Sequence, residues 1–206
     1  GNAATTVTRT VEVVDTTTPT VTTQDITIDL DANGAVTITA QDVDNGSSDL
    51  GGIASMMVSP MSFDCSNIGA NTVTLTVTDN SGNTATATAV VTVQDLVAPV
   101  VVTQDITVAL DATGAASITA SDIDNGSSDN CGIQTMALDT TMFDCTNLGA
   151  NTVTVTVTDV NGNTNTATAT VTVVDSIAPV AVAQDITVAL DANGQATTDP
   201  EAALQG

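Results

Sequence analysis

Thr152-Val153-Thr154-Val155-Thr156-Val157-Thr158 runs into Asp159-Val160-Asn161-Gly162-Asn163, and Thr166-Ala167-Thr168-Ala169-Thr170-Val171-Thr172-Val173 follows. The apolar residues Val153, Val155 and Val157, and then Ala167, Ala169, Val171 and Val173, alternate strictly with threonine. A period of two places every apolar side chain on one face of a half-buried strand. Asn161-Gly162 supplies the positive φ angles that tight turns need, so the two runs read as an antiparallel hairpin. Upstream, Ile106-Thr107-Val108-Ala109-Leu110 and Ala116-Ser117-Ile118-Thr119-Ala120 flank Asp111-Ala112-Thr113-Gly114, which reads as a second hairpin. Several short strands with regular turn signals indicate an all-β fold of immunoglobulin-like sandwich type. Threonine keeps the outer face wet, Val, Ile and Ala form the dry face, and Phe63, Phe143 and the methionines are expected to fill the widest part of the core.

The same pattern occurs more than once. Gln24-Asp25-Ile26-Thr27 returns as Gln104-Asp105-Ile106-Thr107 and as Gln184-Asp185-Ile186-Thr187, a period of about 80 residues. Asp44-Asn45-Gly46-Ser47-Ser48-Asp49 matches Asp124-Asn125-Gly126-Ser127-Ser128-Asp129 in that register, and Phe63-Asp64-Cys65 matches Phe143-Asp144-Cys145. The chain therefore divides into tandem modules at residues 19–98 and 99–178. Residues 1–18 match the last strand of a preceding module, and residues 179–206 contain the opening of a further one plus a divergent tail. The expected arrangement is a rod of modules in series.

Composition excludes most chemistries. The 206 residues carry 24 Asp and Glu against one Lys or Arg, a formal charge of −23, with 1% aromatics and no His, Trp, Tyr or Lys. Imidazole acid–base catalysis and Schiff-base chemistry have no residues to carry them, and an enzyme is the least expected class. Phosphate backbones are bound by clusters of Lys and Arg, so Arg9 alone excludes nucleic acid as a partner. A hydrophobic content of 42% with only 12% charged residues is that of a folding chain, not an acidic disordered tail. No apolar run is long enough for a spanning helix, so no membrane insertion is expected in this segment, and no signal peptide is legible at its start.

Asp129-Asn130-Cys131-Gly132, the Phe-x-Cys step at 143–145, the Thr-Val repeat closing on Asp-x-x-Gly-Asn at 159–163, and the terminal Val-Thr-Val-x-Asp-x-x-Ala-Pro resemble hyalin-repeat (HYR-type) immunoglobulin-like modules. The first module departs from that pattern, with Leu50-Gly51-Gly52 where the second has Asn130-Cys131-Gly132. The resemblance covers the chain to about Gly194 and implies a secreted, cell-surface setting, as in large adhesins of Bacteroidota. It implies a scaffold rather than a ligand.

In that setting a disulfide between Cys131 and Cys145 is the favoured reading, and closing so short a loop would contribute roughly 3 kcal/mol. The alternative is a pair of buried thiols. Gly51 stands where Cys65 would need its partner, so Cys65 reads as an inert buried thiol or an interchain link.

The acids are nearly all Asp and fall at strand ends. Hyalin-like topology implies that Asp122, Asp124, Asp129 and Asp159 meet the connector residue Asp95 at the pole facing the previous module. The equivalents one repeat earlier are Asp42, Asp44, Asp49, Asp79 and Asp15. Four carboxylates about 5 Å apart repel by roughly 5 kcal/mol even at water's dielectric constant. Either they stay apart in solvent or a cation joins them. All-oxygen ligands make Ca²⁺ the candidate, stiffening the junction, while the plainer reading is that these residues cap turns. The Asp-x-Asp-x-Gly spacing is not an EF-hand, because Ile53 and Ile133 occupy the place of its bidentate Glu.

Asp-Thr-Thr and Asp-Ser-Ile steps mark Thr16, Thr140 and Ser176 as candidate O-glycosylation sites. The sequence thus favours a structural stalk or filament segment of a cell-surface adhesin, whose partners are adjacent modules of the same chain. The alternatives are a self-assembling filament subunit that meets other copies, and a module whose Thr rows bind surface glycans or ice.

Overall fold

A computed structural model describes residues 1, 3–183 and 185–196. Gln184 of the third repeat marker and nearly all of the divergent tail lie outside the described residues. The first module contains β1 (Ile26–Asp29), β2 (Ala35–Thr37), α1 (Ala40–Val43), β3 (Ile53–Ser59), β4 (Ser62–Asp64), β5 (Gly69–Asp79) and β6 (Thr84–Gln94). The second repeats the order with β7 (Ile106–Ala109), β8 (Ala115–Ser117), α2 (Ala120–Ile123), β9 (Ile133–Leu138), β10 (Met142–Asp144), β11 (Gly149–Asp159) and β12 (Thr164–Val174). Each module pairs a four-stranded sheet, β1-β6-β5-β3 or β7-β12-β11-β9, with a two-stranded sheet, β2-β4 or β8-β10. This is an immunoglobulin-type β-sandwich.

The long hairpins follow the Thr-Val alternation. β11 and β12 run antiparallel from Gly149↔Val173 to Thr158↔Thr164, and β5 and β6 do the same. Because five residues separate the last paired positions, only Gly162 adopts a positive φ, at 93°, and Asn161 does not. Val153, Val155 and Val157 are fully buried with Val171 and Val173, closed over by Leu110, Ile118, Ile123 and Phe143. Val73, Leu75, Val77, Val91 and Val93 form the equivalent core with Phe63.

Two expectations need correction. Ile106–Ala109 and Ala115–Ser117 do not form a hairpin: β7 pairs in parallel with β12, and β8 pairs with β10 in the other sheet. The turn at Asp111 is tight, with Gly114 N donating to Asp111 O at 2.9 Å, but Leu110 dives into the core there and the chain changes sheets. Nor do the methionines all fill the core. Phe63 and Phe143 are buried as expected, whereas Met57 and Met142 are about 70% exposed.

Residues 3–18 and 175–183 carry almost no regular structure, and Val7, Val11 and Val13 stand open to solvent. Among the described residues, no helix is long and apolar enough to cross a membrane.

Candidate cation sites and a covalent lock at the module junction

Asp159 ends β11, where the hairpin turn folds its backbone over its own carboxylate. Asn161 N and Asn163 N each donate to Asp159 Oδ1 at 2.8 Å, and the Asn163 carboxamide donates to Oδ2 at 2.8 Å. Burial pushes this carboxyl up, but the bonds from Asn163, Asn161 and Gly162 outweigh it and hold it below the usual range. Asp79 repeats the arrangement with Asn83 and Ser81 and is shifted down for the same reasons. Both side chains are therefore fixed as anions in sites that are almost closed to water.

Two further carboxylates converge on each. Asp95, in the connector, and Asp129, before the β9 strand, join Asp159 so that one oxygen from each lies within 4.8 Å of the others; Asp15, Asp49 and Asp79 form the matching group one repeat earlier. The remaining oxygens are tied down locally. Val97 N donates to Asp95 Oδ1 at 3.0 Å, while Cys131 N and Gly132 N donate to Asp129 Oδ2 at 2.8 and 3.0 Å. Asp95 Oδ2 and Asp129 Oδ1 are buried with no hydrogen-bond partner, and Asp95 as a whole is only 5% exposed. Three such charges repel by roughly 3 kcal/mol at water's dielectric constant, and by more where water is excluded. Buried anions are ordinarily paired or bound to a metal. Three hard oxygens with no nitrogen or sulfur donor suit a divalent cation of the Ca²⁺ kind, with carbonyls and waters completing six to eight ligands.

The other acids named from the sequence are engaged elsewhere. Asp42 and Asp122 accept from Thr39 N and Thr119 N at 2.6 and 2.7 Å and from the same residues' hydroxyls at 2.8 Å, capping α1 and α2. Asp44 and Asp124 accept from Ser47 N and Ser127 N at 3.0 Å inside their own turns. The bonds from Thr39 and Thr119 hold Asp42 and Asp122 below the ordinary carboxylate range, and the side chains of Ser47 and Ser127, followed by their amides, do the same for Asp44 and Asp124 against a smaller upward push from burial. Thr16, Thr140 and Ser176 are all exposed.

The cysteines pair differently from the expectation. Cys131 is bonded to Cys65 of the preceding module, with Cα atoms 5.4 Å apart, and Cys145 is free and exposed. The Cys131–Cys145 bridge is thus corrected, as is the reading of Cys65 as an inert thiol. Closeness along the chain misled because the two residues sit at opposite poles. Cys131 follows Asp129 in the loop that faces the previous module, whereas Cys145 opens the 3-10 turn Cys145–Asn147, against the Gly114 carbonyl at 3.9 Å.

Side chains reinforce the lock. Asn130 donates to Asp31 O at 3.1 Å and to Asp95 Oδ1 at 3.2 Å, Asn163 donates to Asp95 O at 3.1 Å, and Asn165 donates to Pro99 O at 2.8 Å. Asn130 and Asn163 were not singled out from the sequence, although Asn163 recurs as Asn83 in the repeat.

No family model matches the chain, and no curated protein matches it. Among solved structures it is similar to protocadherin gamma B7 extracellular cadherin domains 1–4, at TM-score 0.36 and 12% identity over 75% of this chain and 50% of that one. Human mucin-like protocadherin EC1-2 aligns at TM-score 0.35 and 16% identity over 77% and 98% of the two chains. The fibronectin(III)-like modules of Clostridium thermocellum CbhA align at 0.29 and 10% over 77% and 95%. The chain spans half the length of the protocadherin gamma B7 structure. These neighbours are cadherin and fibronectin-III-like β-sandwich domains.

Proposed function

We propose that this chain is a structural segment of a secreted, cell-surface adhesin, a run of hyalin-type immunoglobulin-like modules that acts as a stiff spacer and performs no catalysis. The joint between its two modules carries the reading. One disulfide, three side-chain hydrogen-bonding residues and an Asp triad with two unpartnered buried oxygens converge there. A chain whose modules only needed to be tethered would not concentrate so many constraints at the connector. Inter-module interfaces are otherwise mobile by default.

In this reading Ca²⁺ binds Asp95, Asp129 and Asp159, and Asp15, Asp49 and Asp79, cancelling the repulsion that would otherwise spread each joint. A ligand that binds only the folded joint stabilises it by about 2.7 kcal/mol at one hundred times its dissociation constant. Thermal unfolding and small-angle scattering of the full chain, in chelator and then in millimolar Ca²⁺, test this. The expected outcome is a higher midpoint and a narrower distribution of shapes with Ca²⁺, both reduced in Asp159→Asn. Superimposable scattering curves and equal midpoints would overturn it.

A further inference from the structure

We infer that Cys145 is the open half of a second inter-module disulfide, and that the pole around it is a docking surface for a module presenting an Asp-x-Cys-Gly loop. Cys145 stands one repeat after Cys65, in the same local structure. Asp64 and Asp144 cap the two 3-10 turns at φ −137° and −136°, accepting from Ser66 N and Thr146 N at 2.8 Å. The two Sγ atoms lie 3.8 and 3.9 Å from Gly34 O and Gly114 O. Cys65 continues into its bond with Cys131, whereas Cys145 is exposed and unbonded.

The surroundings repeat as well. In the formed junction Asp31 O and Asp95 receive the Asn130 carboxamide. Their counterparts, Asp111 and Asp175, line an open cleft with Gly114, Ile177 and Ala178. Asp95 is buried under its loop, and Asp175 is exposed.

A second copy of this chain does not supply the loop. Its Cys131 is already bonded, and its other module carries Gly51 at the matching place, where an added Cβ would stand 2.9 Å from Asp15 Oδ2. The occupant is therefore a further module in series, of the kind whose opening the sequence repeats at Asp185-Ile186-Thr187.

The bond forms by exchange. The Cys145 thiolate attacks the sulfur of an incoming cysteine held as a disulfide with a small thiol. One S–S bond breaks as another forms, the displaced thiolate takes up a proton, and no net oxidant is consumed.

The test uses the full chain and the symmetric disulfide of the peptide Ser-Ser-Asp-Asn-Cys-Gly-Ile, equilibrated with its thiol in the presence of chelator, against a scrambled peptide of equal composition. Intact mass and digestion locate and quantify the adduct. The expected result is an adduct at Cys145, absent in Cys145→Ser, with an exchange constant about tenfold larger for the matched peptide. Equal constants for both peptides, or an adduct confined to Cys65 or Cys131, would overturn the inference. It rests on the serial-module reading, and because chelator is present its failure is separable from failure of the Ca²⁺ reading.

Discussion

Asn163 donates to the Asp159 carboxylate and to the Asp95 carbonyl, so one carboxamide holds both the turn it belongs to and the connector that precedes its module. Several other aspartates fold their carboxylates onto donors close in the chain, which lowers their proton affinity: Asp31 onto the Ala35 and Asn33 amides, and Asp64, Asp111 and Asp144 onto the hydroxyls of Ser66, Thr113 and Thr146 and then onto nearby backbone N–H groups. A carboxyl whose folded pKa is depressed adds stability that is complete above its unfolded value, near 3.9, and is lost as pH falls through the folded value. In chelator and at moderate salt, which screens the surface repulsion, the thermal midpoint is expected to stay level from pH 7 to about 5. It should then fall steeply below about pH 4; a midpoint that rose through that lower range would contradict the assignment. The repeat register made Asp95, Asp129 and Asp159 legible as recurring acids. It could not separate them from Asp122 and Asp124, because a carboxylate that caps its own turn and one that faces a neighbour have the same spacing in sequence.

At the scale of the element, β5 and β6 show how a core nearly without aromatics holds together. Leu75 is fully buried between Val73 and Val77, while Thr86 on the partner strand faces solvent opposite Thr76. Leu75→Ala is expected to cost about 2–5 kcal/mol of the first module's stability. Thr86→Ala should stay within about 0.5 kcal/mol, and chemical denaturation of the two variants checks both values. The long hairpins were legible because alternation and turn residues are local signals. The pairing of β7 with β12 was not, since Ile106-Thr107-Val108-Ala109 has the same period whichever strand it joins. The chain's change of sheets at Leu110 is decided by the core rather than by the turn residues beside it.

For the whole molecule, the Cys65–Cys131 bond spans 66 residues and closes a loop that contains the connector. On the loop-entropy model such a closure contributes about 4 kcal/mol. The unfolded protein should show one reactive thiol without reductant and three with it. Cys131→Ser should lower the unfolding midpoint and broaden the scattering-derived distance distribution, whereas Cys145→Ser should change neither. Three thiols before reduction would rule out the bond. Its partner choice was hidden from the sequence because the contact forms between modules, and nothing along the chain marks which residues face one another across a junction.

The parallel pairing of β1 with β6 bears on what happens when the chain is pulled. The first strand of the first module lies beside its last, joined from Ile26↔Val91 to Asp29↔Gln94, and the second module repeats this from Ile106↔Val171 to Val174↔Ala109. Because the strands run the same way, the chain enters near one pole of the module and leaves near the other. Tension along the chain therefore drags the two strands past each other in shear and loads their ladder bonds together. An antiparallel terminal pair would instead unzip one bond at a time.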